Sequence, residues 1–146
     1  MPHVSKNYLN HPDAPIGQWA CAPSSSLGPY ASAPPSDSTS GPANYCGQCV
    51  SYVKTVSPTL PARTADWKKG AAVKDNKSIV AGTVIATFND EGKYLGHAAI
   101  YVDQGAAGIT AYDQWVTGRP KPIGSRILKW GAPKIVNNAD SYYVVD

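Results

Sequence analysis

A pair of cysteines directs the search for chemistry in this chain. Its 146 residues contain three cysteines, Cys21, Cys46 and Cys49, and the last two form a C-x-x-C pair. Three uses of such a pair are open: a dithiol redox couple, half of a zinc site, or a reactive thiol that happens to lie near a second cysteine. The flanking sequence distinguishes between them.

Zinc and redox uses fit that flanking sequence poorly. No second C-x-x-C or H-x-x-x-H follows, and the histidines at positions 3, 11 and 97 are scattered, so we expect no metal site. A thioredoxin-like dithiol normally follows a strand in a βαβ unit, whereas a Pro/Ser-rich stretch precedes this pair. The redox use therefore stays as a lesser alternative.

The third use depends on the position of Cys49. The segment GQCVSYVKTV spaces Cys49, Tyr52 or Val53, and Val56 by three and four residues. This predicts a helix that begins near Cys49 and stops before Pro58. Unpaired N–H groups and the helix dipole stabilise an anion at that end, and this lowers the pKa of a thiol. The pattern therefore predicts a thiolate nucleophile.

A thiolate nucleophile needs a base, and the base needs a group that orients it. His97, in YLGHAAIYV, follows a glycine at the start of a predicted strand. The next strand, ITAYDQW, offers Asp113 as the orienting residue and Gln114 as the alternative. Neighbours in a strand face opposite sides, so only one of these two side chains can point toward His97.

The elements that must position these residues follow from the hydrophobic pattern. Valine, isoleucine, threonine and aromatic residues predict five strands, at Ile79–Phe88, His97–Val102, Gly108–Trp115, Arg126–Trp130 and Tyr142–Val145. A short helical turn is expected at Thr64–Lys69. One helix followed by about five strands predicts an α+β fold, with the helix packed on an antiparallel sheet.

The N-terminal third has a different composition. Eight of the 13 prolines fall in the first 42 residues, beside a serine-rich stretch at 24–40, which indicates mostly loop. Tyr8, Ile16, Trp19, Cys21 and Tyr30 recur through it, so we expect an ordered wrap on the core, loosest at 36–41. The chain is therefore interpreted as a single domain, 1–146, with a wrap at 1–44 and a catalytic core at 45–146.

Charge and hydropathy exclude several classes of function. Thirteen Lys and Arg against ten Asp and Glu give a net charge of +3, and the basic residues are too dispersed for nucleic-acid binding. The apolar runs are far shorter than the roughly 20 residues needed to span a bilayer, so no membrane insertion is expected. The N-terminus lacks the apolar core of a signal peptide, so export would require a machine that reads the folded protein.

The motifs together resemble a known superfamily. GQCVSYVK, GTVIATF, GHAAIYV and AYDQW are similar to the NlpC/P60 and CHAP cysteine amidases of papain-like fold, which cut peptidoglycan peptides, and the similarity covers residues 44–116. The small size and missing signal peptide resemble type VI secretion amidase effectors in particular. The Gly-Gln before the cysteine departs from the Asp-Cys-Ser of many NlpC/P60 members and is closer to the CHAP form.

The resemblance implies a mechanism and its residues. Cys49 would be the nucleophile, His97 the general base and Asp113 the orienting residue, with no metal or cofactor. Backbone N–H groups at the helix start would hold the oxyanion, and Gln48 or Tyr45 could add a side-chain donor. Further candidates for substrate contact are Trp115 and Arg119. Cys21 and Cys46 would then be left to form a disulfide that ties the wrap beside the helix.

The resemblance also implies partners and a compartment. The substrate would be a peptidoglycan peptide, and a cognate immunity protein would block the cleft in the producing cell. The protein would be made in the cytoplasm and delivered by a secretion system to the periplasm of a target cell. Two alternatives remain: a non-catalytic wall-binding module of the same fold, and a thiol oxidoreductase that uses Cys46 and Cys49.

Overall fold

The computed structural model describes residues 1–23, 25–33 and 46–146. These residues form an α+β fold, as the sequence predicts, with one α-helix and mostly antiparallel strands. The helix, α1, spans Cys49–Val56. The strands are β1 (Trp19–Ala20), β2 (Tyr30–Ala31), β3 (Lys69–Ala72), β4 (Val84–Phe88), β5 (Tyr94–Gln104), β6 (Gly108–Trp115), β7 (Lys121–Lys129) and β8 (Tyr142–Val145). No helix in this part of the chain is long and apolar enough to cross a membrane.

The main sheet has six strands in the described chain, in the order β3-β8-β4-β5-β6-β7, and each neighbouring pair is antiparallel. Strands β4 to β7 follow one another as hairpins, which short turns allow. Strand β8 returns from the far end of the chain to lie between β3 and β4. β1 and β2 form a small separate sheet.

The sheet has one strand more than the five that the sequence located. Lys69–Ala72 forms the edge strand β3, where Lys69 pairs with Val145 and Ala72 with Tyr143. The segment KGAA has no β-branched or aromatic residue, so its own propensity gives no strand signal and pairing with β8 decides its conformation. The helical turn expected at Thr64–Lys69 is a 3₁₀ turn at Thr64–Asp66 only.

The observed strands also begin at residues other than the predicted ones. β4 begins at Val84 instead of Ile79, and β5 begins at Tyr94, so His97 lies inside the strand and not at its start. β7 begins five residues early, at Lys121. Lysine, proline and glycine at this end conceal the strand from a composition rule, since cross-strand pairing with β6 supplies the order there.

Both faces of the sheet are covered, and this explains why all five residues of β4 are buried. On one face, α1 contributes Tyr52, Val53 and Val56 to a core that includes Ala98 and Ile100 of β5. On the other face a second core is formed by residues such as Ile85, Ala99, Ile109, Leu128 and Tyr142. Helix α1 is therefore held by tertiary packing of its apolar face.

The described part of the N-terminal segment packs on this core. Ser5 donates its backbone N–H to Gly82, and Gly17 donates to Ile123 of β7. Trp19 is buried, and the Tyr8 ring lies 5.5 Å from that of Tyr112.

Of the aromatic residues expected to dock on the core, Tyr30 does not, and Ile16 nearby is exposed as well. Ile16 is 46% exposed and Tyr30 is 39% exposed, so they face solvent although the segment around them is ordered by backbone hydrogen bonds. The serine-rich stretch expected to be loosest, 36–41, lies outside the described residues.

A disulfide joins this segment to the start of the helix. Cys21 and Cys46 are bonded through their sulfur atoms, 25 residues apart in the chain. Beside them the Gly47 backbone N–H donates to the Ala20 carbonyl at 2.8 Å. The loop that carries the intervening residues is therefore closed immediately before Cys49, which keeps a free thiol.

We expect the double variant Cys21→Ser/Cys46→Ser to lower the free energy of unfolding by about 3 to 4 kcal/mol, because the open chain gains the entropy of a 25-residue loop. Denaturant unfolding followed by tryptophan fluorescence measures the change. Wild type with dithiothreitol should match the variant. Three titratable thiols in denatured protein without reductant, instead of one, would show that the bond does not form.

Candidate active site

The geometry of the candidate site starts with Cys49, the first residue of α1. Its side chain is half-buried, and its Sγ lies 3.4 Å from the Tyr94 hydroxyl. The His97 imidazole and the Ala98 backbone also act on this thiol, and both lower its pKa. The helix start therefore presents the thiol to β5, the strand that carries the histidine.

His97 and Asp113 meet across neighbouring strands. β5 and β6 pair so that Ile100 lies opposite Tyr112, which brings the two side chains to the same face of the sheet. His97 Nε2 is 2.8 Å from Asp113 Oδ2. Since Nε2 is occupied by Asp113, the remaining ring nitrogen, Nδ1, is the one left for Cys49.

The backbone at His97 is fixed by Thr87 of β4. The Thr87 hydroxyl, which is fully buried, accepts the His97 N–H at 3.0 Å and donates to the Leu95 carbonyl. A Cβ on Gly96, where φ is +114°, would lie 2.5 Å from this hydroxyl oxygen. The glycine before the histidine is therefore required for this close approach.

Two cations on β7 hold the Asp113 carboxylate, and the sequence analysis missed both. Lys121 Nζ is 3.0 Å from Asp113 Oδ1, and Arg126 Nε is 2.7 Å from Oδ2. Asp113 is fully buried, so two charge-assisted bonds and the bond to His97 offset the cost of removing it from water. A buried aspartate indicates that cationic side chains must lie beside it, but the sequence does not identify which lysine or arginine they are.

These contacts set the protonation states of the three groups. Burial raises the pKa of Asp113, but His97 and the two cations outweigh it and lower that pKa to about 2. Burial lowers the pKa of His97, but its bonds to Asp113 and Cys49 raise it to about 9. Burial raises the pKa of Cys49, and hydrogen bonds from His97 and Tyr94 bring it below its usual value. The arrangement favours a thiolate beside an imidazolium.

Gln114, the alternative residue for orienting His97, is hydrogen-bonded elsewhere. It points away from His97, toward the helix side of the sheet, where its amide bonds the Ala20 N–H and C=O. Its Nε2 also donates to the Gln48 carbonyl at 2.8 Å. Gln114 therefore joins the N-terminal segment to the helix start, because strand alternation sends it to the face opposite Asp113.

The other candidates from the sequence make contacts of their own around the site. Gln48 is the N-cap residue of α1, but its side chain makes no capping hydrogen bond. The Trp115 ring lies 6.2 Å from the His97 ring, edge to face. Arg119 is exposed, and its carbonyl accepts the Trp115 indole N–H. Tyr45 lies outside the described residues.

Among the residues that the structure describes, no group of three or more His, Cys, Asp or Glu side chains could hold a metal ion. The site is built from a thiol, an imidazole and a carboxylate whose partners are all within the chain. That set can perform proton transfer and nucleophilic attack with its own groups.

Comparison with known proteins identifies the class of protein to which the chain is similar. Proteins similar to the chain in sequence and structure are named amidase effectors. The family described as Dae2, domesticated amidase effector 2, matches residues 23–145. The chain belongs to this family.

Individual relatives agree with that assignment. Domesticated amidase effector 2 of Ixodes scapularis is 40% identical, over 68% of this chain and 70% of that protein. The type VI secretion amidase effector 2 protein of Salmonella typhi is 36% identical, over 68% of this chain and 84% of the relative. The solved structure of type 6 secretion amidase effector 2 aligns with a TM-score of 0.58 and 30% identity, over 68% of this chain and 80% of that one.

Proposed function

We propose that the protein is a peptidoglycan amidase that cleaves an amide bond in wall stem peptides or cross-links and acts as an antibacterial effector. Family membership supports an amidase. The observation that carries the mechanism is the His97 imidazole, which is hydrogen-bonded to the buried Asp113 and whose pKa is raised by both Asp113 and the Cys49 thiol. In a cysteine amidase the histidine acts as acid and base toward the thiol, and a third polar group orients its ring.

In the first step the Cys49 thiolate attacks the amide carbonyl carbon. A sulfur–carbon bond forms, and the carbonyl oxygen takes the negative charge. The N–H of Cys49, at the first helical turn, has no intrahelical acceptor and is available to that oxygen. One such donor contributes about 2.7 to 4 kcal/mol to transition-state stabilisation.

In the second step the carbon–nitrogen bond breaks. The His97 imidazolium gives its proton to the departing amine, which leaves a thioester on Cys49 and a neutral imidazole. His97 then takes a proton from water as the water attacks the thioester. The products are a carboxylic acid and the regenerated thiolate and imidazolium, so no cofactor enters the balance.

Lys121, Arg126 and Tyr94 support these steps without reacting. The two cations keep Asp113 ionised, so Asp113 fixes the ring of His97 and stabilises its positive charge. Burial and the Cys49 charge raise the pKa of Tyr94, so the hydroxyl stays protonated and can donate to the thiolate. Its ring packs edge to face on the buried Trp67, at 5.1 Å between centroids.

The finer parts of the assignment rest on the same argument. We propose a papain-like architecture of the NlpC/P60 or CHAP kind, because a helix-borne cysteine faces a histidine on an antiparallel sheet. Residues 1–44 are proposed as the wrap and 45–146 as the catalytic core of one domain. Delivery by a secretion system to the target periplasm, and an immunity protein that covers the cleft, are inferred from the relatives' names.

Digestion of purified sacculi tests the proposal. The protein should release muropeptides in which one defined amide bond has been hydrolysed, as measured by chromatography and mass spectrometry. Protein treated beforehand with iodoacetamide is the matched control, because Cys49 is the free cysteine in the described chain. Unchanged sacculi with folded, untreated protein would overturn the proposal.

The two alternatives predict different results in the same assay. A wall-binding module would sediment with sacculi without releasing muropeptides. A thiol oxidoreductase would require Cys46, whereas in the amidase Cys46 is bonded to Cys21 and takes no part in the chemistry. Membership of a family of amidase effectors favours neither alternative.

We expect Cys49 to be alkylated by iodoacetamide at a nearly constant rate at neutral pH and below, down to its lowered pKa, since a thiolate is the reacting form. Hydrolysis should fall as pH rises through about 9, where His97 loses the proton needed by the leaving amine. Rates measured from pH 4 to pH 10 check both. In His97→Ala, the alkylation midpoint should move up toward the ordinary thiol range; an unchanged midpoint would contradict the ion pair.

A further inference from the structure

A cavity of about 310 Å³ opens beside His97, on the sheet face that carries Asp113. Its lining includes Trp115, Arg126, Lys134, Val136 and Asn137. His97 contributes to the wall, whereas Cys49 does not. The cavity therefore lies on the imidazole side of the candidate site.

The charge on this cavity has one sign. Arg126, Lys134 and the imidazolium of His97 are cationic, and no Asp or Glu is among its lining residues in the described chain. Asp113, the nearest carboxylate, is fully buried behind the wall, and Lys121 shares its charge. Lys134 makes no ion pair within residues 1–23, 25–33 and 46–146. The cavity thus keeps an excess of positive charge.

The guanidinium in this cavity is held rigidly. Arg126 donates through Nε to Asp113 at 2.7 Å and through one terminal nitrogen to Asn137 Oδ1 at 3.0 Å. Its plane lies over the Trp115 ring, 4.8 Å from the centroid. An arginine fixed on three sides loses little entropy when its remaining N–H groups bind a carboxylate.

The side of the site on which the cavity lies indicates which part of a substrate would enter it. In the proposed mechanism His97 protonates the departing amine through Nδ1, the nitrogen that faces Cys49, because Nε2 is bonded to Asp113. The amine therefore lies at Nδ1, and the rest of the leaving fragment extends past the imidazole. The acyl fragment stays on Cys49, which does not line the cavity. A group that enters the cavity would therefore belong to the leaving fragment.

We propose that this cavity binds a free carboxylate on the residue that supplies the leaving amine, with Lys134 and Arg126 as its ligands. The inference rests on the proposed function and extends it to substrate selection. Amides whose leaving residue carries an unblocked carboxylate are the preferred class. Amides whose leaving residue is blocked or lacks that group are poor substrates.

Two synthetic cross-linked stem peptides test this, identical except that the leaving residue carries either a free carboxylate or its carboxamide. Wild type should hydrolyse the acid with a kcat/KM about tenfold higher than the amide, as expected for a charge-assisted contact at a partly open site. Lys134→Met should bring that ratio close to one. Lys77→Met removes an exposed lysine outside the cavity and should keep the wild-type ratio.

Binding of the same two peptides to Cys49→Ala, by calorimetry, gives a readout that does not depend on turnover. Tighter binding of the acid, lost in Cys49→Ala/Lys134→Met, supports the cavity. Equal hydrolysis and equal binding of acid and amide by proteins with intact Lys134 would overturn it. If neither peptide is hydrolysed, the proposed function fails, and the binding preference alone decides whether the cavity takes a carboxylate.

Discussion

Cys49→Ala is expected to lower kcat/KM for hydrolysis of wall peptides by at least about 10⁴-fold, because no other group in the proposed mechanism can form the thioester. The helix should persist, since alanine has a higher helix propensity than cysteine and the core residues Tyr52, Val53 and Val56 are unchanged. Quantified muropeptide release, with circular dichroism of the same preparation, measures both effects.

The matched control for this variant is Cys21→Ser/Cys46→Ser, which removes two sulfurs and keeps the proposed nucleophile. It should hydrolyse sacculi at temperatures where it remains folded. Hydrolysis by Cys49→Ala at a rate near that of wild type would exclude a cysteine mechanism. Loss of activity in folded Cys21→Ser/Cys46→Ser as well as in Cys49→Ala would favour the redox use of the C-x-x-C pair, which needs both thiols.

Asp113→Ala is expected to have the largest combined effect on stability and activity. It leaves Lys121 and Arg126 without their shared carboxylate, and breaking a buried pair in this way costs about 3 to 5 kcal/mol of unfolding free energy. It also removes the group that orients His97, which lowers turnover by about 10⁴-fold. Urea unfolding and steady-state hydrolysis measure the two losses.

Asp113→Asn separates charge from shape. The pKa of Asp113 is lowered to about 2, so the carboxylate stabilises the fold fully above its unfolded pKa of about 4, and this is lost as pH falls from about 4 toward 2. Wild type should lose stability across that window, and Asp113→Asn should lose less. Equal stability of wild type, Asp113→Asn and Asp113→Ala at pH 7 would contradict the charge argument.

Local pattern was enough to predict the candidate triad. The spacing of Cys49, Val53 and Val56 predicted the helix and its start, and strand alternation required Asp113 and Gln114 to face opposite sides. In the structure His97 is hydrogen-bonded to Asp113, and it lowers the pKa of the Cys49 thiol. Whether they act in catalysis stays a prediction that the variants above test.

Contacts between distant strands could not be predicted in the same way. The pairing of β6 with β7 brings Arg126 to Asp113, but a lysine or arginine in a short polar segment gives no sign of the carboxylate it will meet. In the sequence Thr87 resembles any other strand residue, and its hydrogen bonds to the backbone of β5 follow only from the pairing of the two strands. Strand β3 has no signal at all without β8. Each of these depends on register, which the sequence specifies only through the whole sheet.

The opposite orientations of Asp113 and Gln114 bear on how the chain acquires activity as it folds. On one face of β6, Asp113 bonds His97, and on the other face Gln114 bonds the Gln48 carbonyl at the start of α1. One strand therefore positions both the base and the helix end that carries the thiol. A shift of β6 by a single residue would exchange Asp113 and Gln114 and bury an amide where the carboxylate belongs. Under the proposed assignment, a chain that has formed its helix but not this strand pairing is latent, and hydrolysis is a sensor of completed folding.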